Sequence, residues 1–279
     1  MLLVDVSDGD RLAVFFNAGD PTKPTVLLIH GLGGSAESEY VRFAARSLLA
    51  AGFPVARVDL RGAGTSGDYS GGMYHGGRTE DLAAVVAALG APVAVVGFSL
   101  GGNMTVKLLG EGTAGVVAAV AVSAPLDLGA SSEHLHRMAG GVYERFIMRK
   151  LRSESLRPNA RFTPEERAGI MAAKTLRDFD DAVTGPRHGW ADAQEYYEVN
   201  SGLQFLPQVE VPLLMLHSRD DPMVPLGPYE SVDWQALPTT ELVVTEQGGH
   251  LGFHGPQSSR YYVDVAVPFL TEVAGSRTG

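Results

Sequence analysis

Apolar residues along the chain follow two alternating patterns, one typical of helices and one typical of strands. Residues 41–49 place apolar side chains three or four positions apart, which predicts an amphipathic helix ending at Gly52. Residues 79–89 repeat this spacing after an acidic first turn, and further helices are predicted from Leu100 and over about 259–273. Short β-prone runs predict strands at 11–17, 25–30, 54–58, 93–98, 116–123, 212–217 and 240–245.

The order of these elements indicates the fold class. Strands alternate with helices over most of the chain, and the strands are apolar on both faces. Strands of this kind lie in parallel sheets that helices cover on both sides. The pattern therefore predicts an α/β fold with a mostly parallel, doubly wound sheet.

One long segment interrupts the alternation. Residues 126–207 are charged and helix-prone and contain no strand pattern, whereas strands resume at 212. We expect residues 1–125 and 208–279 to form one core and residues 126–207 to form a helical cap or lid insert. Inserts in doubly wound sheets usually cover the crevice at the strand ends, where ligands bind. A further helical layer without a lid role is the alternative.

Composition narrows the class of protein. With 45% hydrophobic and 19% charged residues, the chain is typical of globular proteins. The formal net charge of −10 argues against nucleic acid or an anionic membrane as the main partner. The absence of cysteine excludes disulfides, thiolate metal sites and a cysteine nucleophile. No signal peptide or stably membrane-inserted segment is evident, so a cytoplasmic protein is expected.

A glycine-rich loop, HGLGGSA, follows the strand 25–30 and allows two interpretations. Residues 31–36 match the G-x-G-x-x-A fingerprint of dinucleotide-binding proteins, and Asp59 ends the next strand, as a ribose ligand would. An NAD(P)-dependent oxidoreductase is therefore one hypothesis. Against it, the helix pattern begins only near Tyr40, and the hypothesis leaves the serine in GFSLGG without a role.

The second interpretation uses three loops together. Ser99 lies between glycines directly after a strand, where a sharp strand-to-helix turn would expose its hydroxyl. A hydrolytic serine needs a base and an acid that orients the base, in the order Ser, Asp or Glu, His. The later strands are followed by HSRDDPMVP, with Asp220 and Asp221, and by EQGGHLGF, with His250. The three loops therefore supply a serine, an acid and a histidine in the required order.

These motifs resemble those of a known family. HGLGGS, DLRGAGTS, GFSLGG, DDPMVP and GGH are similar to α/β-hydrolase motifs. YHGGRTEDL, GFSLGGNM, RDFDDAVTGPRHGWADAQEYY and HSRDDPMVP resemble the YheT-type branch, which includes esterases and alcohol acyltransferases. The similarity extends from about residue 25 to residue 270, but the lead-in before the first strands is short.

The resemblance implies a role for each candidate residue. Ser99 would be the nucleophile, His250 the base and Asp221 the acid, with Asp220 as the alternative acid. The backbone N–H groups of Leu32 and Leu100 would bind the oxyanion. The expected function is hydrolysis of a small-molecule carboxylic ester through an acyl-enzyme, with no metal or organic cofactor. Acyl transfer to an alcohol uses the same intermediate and is the alternative.

Other motif residues are assigned to structure rather than to catalysis. Arg61 is expected to hold its loop, and Tyr74 and His75 are expected to pack or hydrogen-bond near the site. His134 and His136 are two positions apart and do not share a helix face, so they do not indicate a metal site. Four apolar residues of the insert would either line an acyl pocket or form the insert's own core: Met138, Phe146, Ile147 and Met148.

Overall fold

The computed structural model describes residues 1–254 and 260–275. Its eight strands are β1 (Leu2–Asp5), β2 (Arg11–Asn17), β3 (Thr25–Ile29), β4 (Val55–Val58), β5 (Val93–Phe98), β6 (Val116–Val122), β7 (Leu213–Ser218) and β8 (Thr240–Thr245). They form one sheet in the order β1-β2-β4-β3-β5-β6-β7-β8. β2 is antiparallel to β1 and β4, and all other neighbours are parallel. The predicted α/β fold is confirmed.

Eleven helices accompany the sheet in the described part of the chain. They are α1 (Glu39–Ala50), α2 (Thr79–Leu89), α3 (Leu100–Gly110), α4 (Leu128–Arg137), α5 (Val142–Ser155), α6 (Pro164–Ala172), α7 (Leu176–Phe179), α8 (Gly185–Arg187), α9 (Ala193–Asn200), α10 (Gly227–Glu230) and α11 (Tyr261–Gly275). The predicted start of the last helix, at Ser259, lies outside the described residues. No helix within 1–254 or 260–275 is long and apolar enough to cross a bilayer.

Helices cover both faces of the sheet. α1 and α11 pack on one face, and α2 and α3 pack on the other. β5 and β6 are buried at every position, which agrees with their uninterrupted apolar runs. Because β3, β5, β7 and β8 run in the same direction, the loops that follow them lie at the same edge of the sheet.

The segment 126–207 has the predicted helical character. Its backbone, described throughout, contains α4 to α9 and no strand. The side chains of Leu135, Ile147, Met148 and Ile170 form a separate hydrophobic cluster, which Met73 of the core joins. The segment thus has its own apolar centre while it packs on the core.

Polar contacts hold the insert and the nearby loops to the core. The Arg61 guanidinium is fully buried and donates to Asp81 at 2.9 Å and to Asp10 at 2.8 Å. Its predicted structural role is therefore confirmed. On the insert, Arg161 donates to the other oxygen of Asp10 at 2.8 Å. The Asn103 side chain, on α3, donates to the carbonyl of Asn200 at 3.0 Å.

Candidate active site

Ser99 lies at the sharp turn between β5 and α3. Its φ of 53° is in the left-handed region, which non-glycine residues rarely adopt. Glycines allow this close packing: a Cβ on Gly31 would lie 2.9 Å from Cβ of Ser99, and one on Gly101 would lie 2.6 Å from the Ile29 carbonyl oxygen. The strained turn and the glycines around it point to a functional constraint on the serine.

A continuous chain of hydrogen bonds joins the three residues predicted from the loops. Oγ of Ser99 lies 2.8 Å from Nε2 of His250, and Nδ1 of His250 lies 2.9 Å from Oδ2 of Asp221. The Asp221 side chain is fully buried, and its Oδ1 accepts from the N–H groups of Met223 at 2.8 Å and Val224 at 3.0 Å. The carboxylate is therefore fixed toward the imidazole, which in turn reaches the serine hydroxyl.

Asp220 faces a different way. Its Oδ1 accepts from the N–H groups of Gly248 at 2.9 Å and Gly249 at 2.8 Å, and also from the Ser218 hydroxyl. These contacts, the Ser218 hydroxyl first, lower the pKa of Asp220. Asp220 thus ties the loop after β7 to the loop that carries His250, and the structure does not bring it to the imidazole.

The glycine loop after β3 presents free backbone donors beside Ser99. The N–H of Gly31 donates to the Tyr40 hydroxyl at 3.0 Å, and the N–H of Gly33 donates to the Tyr74 hydroxyl at 2.6 Å. The N–H groups of Leu32 and Leu100 donate to no acceptor in residues 1–254 or 260–275. Both leucines line the same cavity as Ser99. The sequence predicted that Tyr74 packs or hydrogen-bonds near the site, but it gave no sign of Tyr40 or of which N–H groups the two tyrosines accept from.

His30 orients the peptide that carries the Leu32 N–H. Its Nε2 accepts from the N–H of Leu60 at 3.1 Å, so the ring proton must be on Nδ1, which donates to the Gly31 carbonyl at 2.8 Å. Burial lowers the pKa of His30, which favours this neutral form. In a trans peptide the carbonyl and the next N–H point in opposite directions. Holding the Gly31 carbonyl therefore sets the direction of the Leu32 N–H.

The same loop is unsuited to a dinucleotide. Asp59, the expected ribose ligand, is buried, and its carboxylate accepts from the N–H groups of Ala36 at 2.6 Å and Thr65 at 2.7 Å. α1 begins at Glu39, so no helix N-terminus directly follows the glycines to receive a pyrophosphate. The geometry thus argues against the oxidoreductase hypothesis.

A cavity of about 470 Å³ lies between residues 126–207 and the loops that carry Ser99 and His250. Ser99 and His250 line it from the core, and Phe146 and Ile147 line it from α5. Met148 is buried in the hydrophobic cluster of the insert, and Met138 is exposed. Of the four apolar residues singled out in the insert, Phe146 lines the cavity, Met148 belongs to the insert's core, Ile147 does both, and Met138 does neither.

Part of the cavity wall is polar. Asp180 is buried, and it accepts hydrogen bonds from the Thr184 hydroxyl at 2.6 Å and from the Tyr197 hydroxyl at 2.7 Å. Burial raises the pKa of Asp180 to about 7. The three residues and Ser132, which lies 3.2 Å from the Tyr197 hydroxyl, all line the cavity. Residues 180–184 form a wide π-helical turn, a feature frequent near functional sites.

The histidines outside the hydrogen-bonded chain contact neighbouring side chains in the fold. The His75 ring packs against the rings of His188 at 4.3 Å and Trp190 at 5.3 Å. His136 contacts Glu144 at 2.8 Å rather than His134. Across the described residues, no cluster of three or more possible metal-ligating side chains is found.

Comparison with known proteins places this geometry in a family. A family model for the alpha/beta hydrolase fold matches residues 24–255. YheT of Escherichia coli (strain K12) is 33% identical over 272 residues, covering 90% of this chain and 78% of that protein. A monoacylglycerol lipase of Saccharomyces cerevisiae (strain ATCC 204508 / S288c) is 29% identical over 270 residues, covering 90% of this chain and 60% of that protein.

Solved structures agree on the fold. An esterase of Pyrococcus furiosus matches with a TM-score of 0.65 and 19% sequence identity, over 97% of this chain and 91% of that chain. The two relatives matched by sequence are named for esterase and lipase activity, which supports a hydrolase of ester substrates. The chain belongs to the α/β-hydrolase fold family, within its YheT-type branch.

Proposed function

We propose that the protein is a serine carboxylesterase that acts through an acyl-enzyme. The single observation that carries this proposal is the hydrogen-bonded chain from Ser99 through His250 to Asp221, beside two backbone donors without acceptors in the described chain. Nucleophile, base, orienting acid and oxyanion donors are the groups that acyl transfer requires. The nucleophile, the base and the oxyanion donors border one largely apolar cavity that suits a small-molecule ester.

Acylation begins at the serine hydroxyl. His250 accepts the Ser99 proton at Nε2 while Oγ attacks the ester carbonyl carbon, and the N–H groups of Leu32 and Leu100 stabilise the resulting oxyanion. The imidazolium then gives its proton to the departing alkoxide, so the alcohol leaves and the acyl group stays on Ser99. Asp221 keeps the second ring proton on Nδ1, which leaves Nε2 free to act as the base.

Deacylation repeats the same steps with water as the nucleophile. His250 removes a proton from water, the hydroxide oxygen attacks the acyl carbon, and the protonated imidazole returns its proton to Oγ of Ser99. The carboxylic acid is released and the serine is restored. We propose that residues 126–207 act in both steps as a cap, because α5 closes one side of the cavity over the core.

The test is covalent labelling of the serine. A fluorophosphonate should label wild-type protein once, on the tryptic peptide containing GFSLGGNM, and Ser99→Ala should abolish both labelling and hydrolysis of a p-nitrophenyl ester. Ser153→Ala, an exposed serine on α5, is the matched control and should label like wild type. Undiminished ester hydrolysis by folded Ser99→Ala protein would refute the proposal.

Acyl transfer to an alcohol remains a second candidate function. A relative from Saccharomyces cerevisiae (strain ATCC 204508 / S288c), 26% identical over 285 residues and covered over 62% of its length, is named as a medium-chain fatty acid ethyl ester synthase/esterase. The two reactions differ in what attacks the acyl-enzyme. Product analysis of p-nitrophenyl octanoate turnover at increasing ethanol concentration separates them, since hydrolysis predicts octanoic acid as the main product in dilute ethanol. Ethyl octanoate as the main product there would favour the transferase.

A further inference from the structure

Exposed apolar side chains are concentrated at one place on the insert. Four large apolar residues within 138–146 are substantially exposed: Met138 at 37%, Val142 at 53%, Tyr143 at 39% and Phe146 at 59%. The other exposed large apolar residues of the described chain are distributed over several separate elements, from Met1 to Tyr261. Single exposed apolar residues are ordinary, but a contiguous group on one surface usually marks an interaction site.

Three members of the group, Val142, Tyr143 and Phe146, lie on the outer side of α5, and Met138 lies four residues before this helix begins. The inner side of this helix buries Glu144, Ile147, Met148 and Leu151, which repeat at helical spacing. An outward helix face is normally polar, yet Val142 and Phe146 lie one turn apart on it. The apolar outer face is therefore not needed for packing within the described chain.

Basic side chains flank these apolar residues. Arg145, Arg149 and Lys150 are exposed on the same helix, and none of them forms a salt bridge with a carboxylate in the described chain. The whole chain has a formal net charge of −10, so this helix locally reverses the sign. Arg145 also donates to the carbonyl of Gly140 at 2.7 Å. A helix with exposed apolar residues and basic residues that lack carboxylate partners is suited to the interface of an anionic lipid layer.

The surface also continues into the cavity. Tyr143, Phe146 and Lys150 are exposed and at the same time line the cavity that contains Ser99. A lipid layer seated on α5 would therefore adjoin the cavity opening. An apolar ester could then pass from the lipid to Ser99 with little exposure to water.

We propose that α5 docks the cavity opening onto an anionic lipid surface, from which the enzyme draws its ester substrate. The docking surface comprises Met138, Val142, Tyr143 and Phe146, flanked by Arg145, Arg149 and Lys150. The apolar side chains insert at the level of the headgroups, and the basic side chains bind the anionic phosphates. The supply of substrate in this proposal rests on the proposed esterase function, whereas the docking itself does not.

Vesicle co-sedimentation of Ser99→Ala protein tests the docking without turnover. We expect binding to vesicles of phosphatidylcholine with phosphatidylglycerol and much weaker binding to phosphatidylcholine alone. The double variant Arg145→Gln/Arg149→Gln should bind the anionic vesicles about 25-fold more weakly, since each basic residue near such a surface adds roughly a fivefold factor in affinity. Met138→Ser/Val142→Ser should also lose most of the binding, because the inserted apolar area is reduced.

Met171→Ser is the matched control. Met171 is 62% exposed on α6 and does not line the cavity, so its replacement should leave vesicle binding unchanged. Equal losses of vesicle binding in the Met171 variant and the Met138/Val142 variant would overturn the proposal. It would also be overturned if folded Ser99→Ala protein, with the melting temperature of wild type, did not bind the anionic vesicles. A concentration-dependent dimer that Val142→Ser dissociates would overturn it too, because a second copy of the chain would then cover this face. Failure of the esterase function would instead appear as hydrolysis that persists in Ser99→Ala.

Discussion

At the scale of single residues, two neighbouring aspartates have separate tasks. Both carboxylates of the pair Asp220 and Asp221 are hydrogen-bonded, but Asp221 bonds to the imidazole of His250, and Asp220 bonds to backbone N–H groups of the histidine loop. The first contact controls which ring nitrogen carries the proton. The second controls where the loop lies.

Replacement of each aspartate by asparagine should therefore affect catalysis differently. Asp221→Asn should lower kcat by about 10³–10⁴-fold, because an amide at this place no longer secures the tautomer with Nε2 free. Asp220→Asn keeps an acceptor for Gly248 and Gly249 and should lower kcat much less. Steady-state kinetics on a p-nitrophenyl ester measures both. A larger loss of kcat in Asp220→Asn than in Asp221→Asn would mean that Asp220, and not Asp221, orients the histidine.

His30 offers a second prediction at the residue scale. His30→Leu removes the side-chain donor to the Gly31 carbonyl, so the peptide that carries the Leu32 N–H is held only by the Gly34 N–H, which donates to the same carbonyl at 3.0 Å. We expect kcat to fall by about tenfold to a hundredfold, below the full loss of one oxyanion donor, with little change in KM. His30→Asn places an amide nitrogen near the position of Nδ1 and should recover most of the rate. Equal kcat in the two variants would show that the hydrogen bond does not position the donor.

At the scale of secondary-structure elements, local pattern explains what could be predicted. The central strands were predictable because each is an uninterrupted apolar run, and a run of that kind is a local property of the sequence. β1 was outside the prediction because it is a four-residue edge strand with one buried residue, Val4, and depends on pairing with β2. The π-helical turn at 180–184 likewise has no signature in the pattern of apolar residues.

Some residues of the candidate site could likewise be predicted from local sequence, and others could not. Ser99, Asp221 and His250 each lie in a loop directly after a strand, so the parallel topology alone brings them to one sheet edge. Tyr40 and Tyr74 were not predicted as partners of the glycine loop, because their contacts depend on how a helix and a distant loop pack. Loop chemistry could be inferred from one sequence, whereas contacts that only packing creates could not.

The π-helical turn leads to a prediction on pH and stability. Burial raises the pKa of Asp180 to about 7, whereas an aspartate in an unfolded chain titrates near 3.9. The folded state therefore keeps a proton that the unfolded state has released, so this contribution to stability is full below about pH 4 and is lost as the pH rises through about 7. Asp180→Asn cannot titrate. Urea unfolding should show wild type losing stability relative to Asp180→Asn between about pH 4 and about pH 7, and little further change above that. If the free energies of unfolding of wild type and Asp180→Asn changed in parallel with pH, the raised pKa of Asp180 would be contradicted.

At the scale of the whole molecule, one buried charge cluster joins three parts of the chain. Asp10 follows β1, and its carboxylate accepts from Arg61 after β4 at 2.8 Å and from Arg161 of the insert at 2.8 Å. It also accepts from the N–H groups of Gly71 and Gly72 at 2.9 and 3.1 Å. The antiparallel edge of the sheet, the long loop before α2 and the insert are thus held together at one carboxylate.

Removal of that carboxylate charge should destabilise the whole protein. In Asp10→Asn the fully buried Arg61 keeps Asp81 but loses its second buried carboxylate, and breaking a buried ion pair typically costs about 3–5 kcal/mol. We expect the free energy of unfolding to fall by about 3 kcal/mol, as measured by urea denaturation. Asp8→Asn is the matched control, because Asp8 lies 3.6 Å from the same guanidinium with its side chain 65% exposed, and an exposed pair contributes about 1 kcal/mol or less. Equal losses in the two variants would mean that the buried carboxylate of Asp10 does not hold these three parts together.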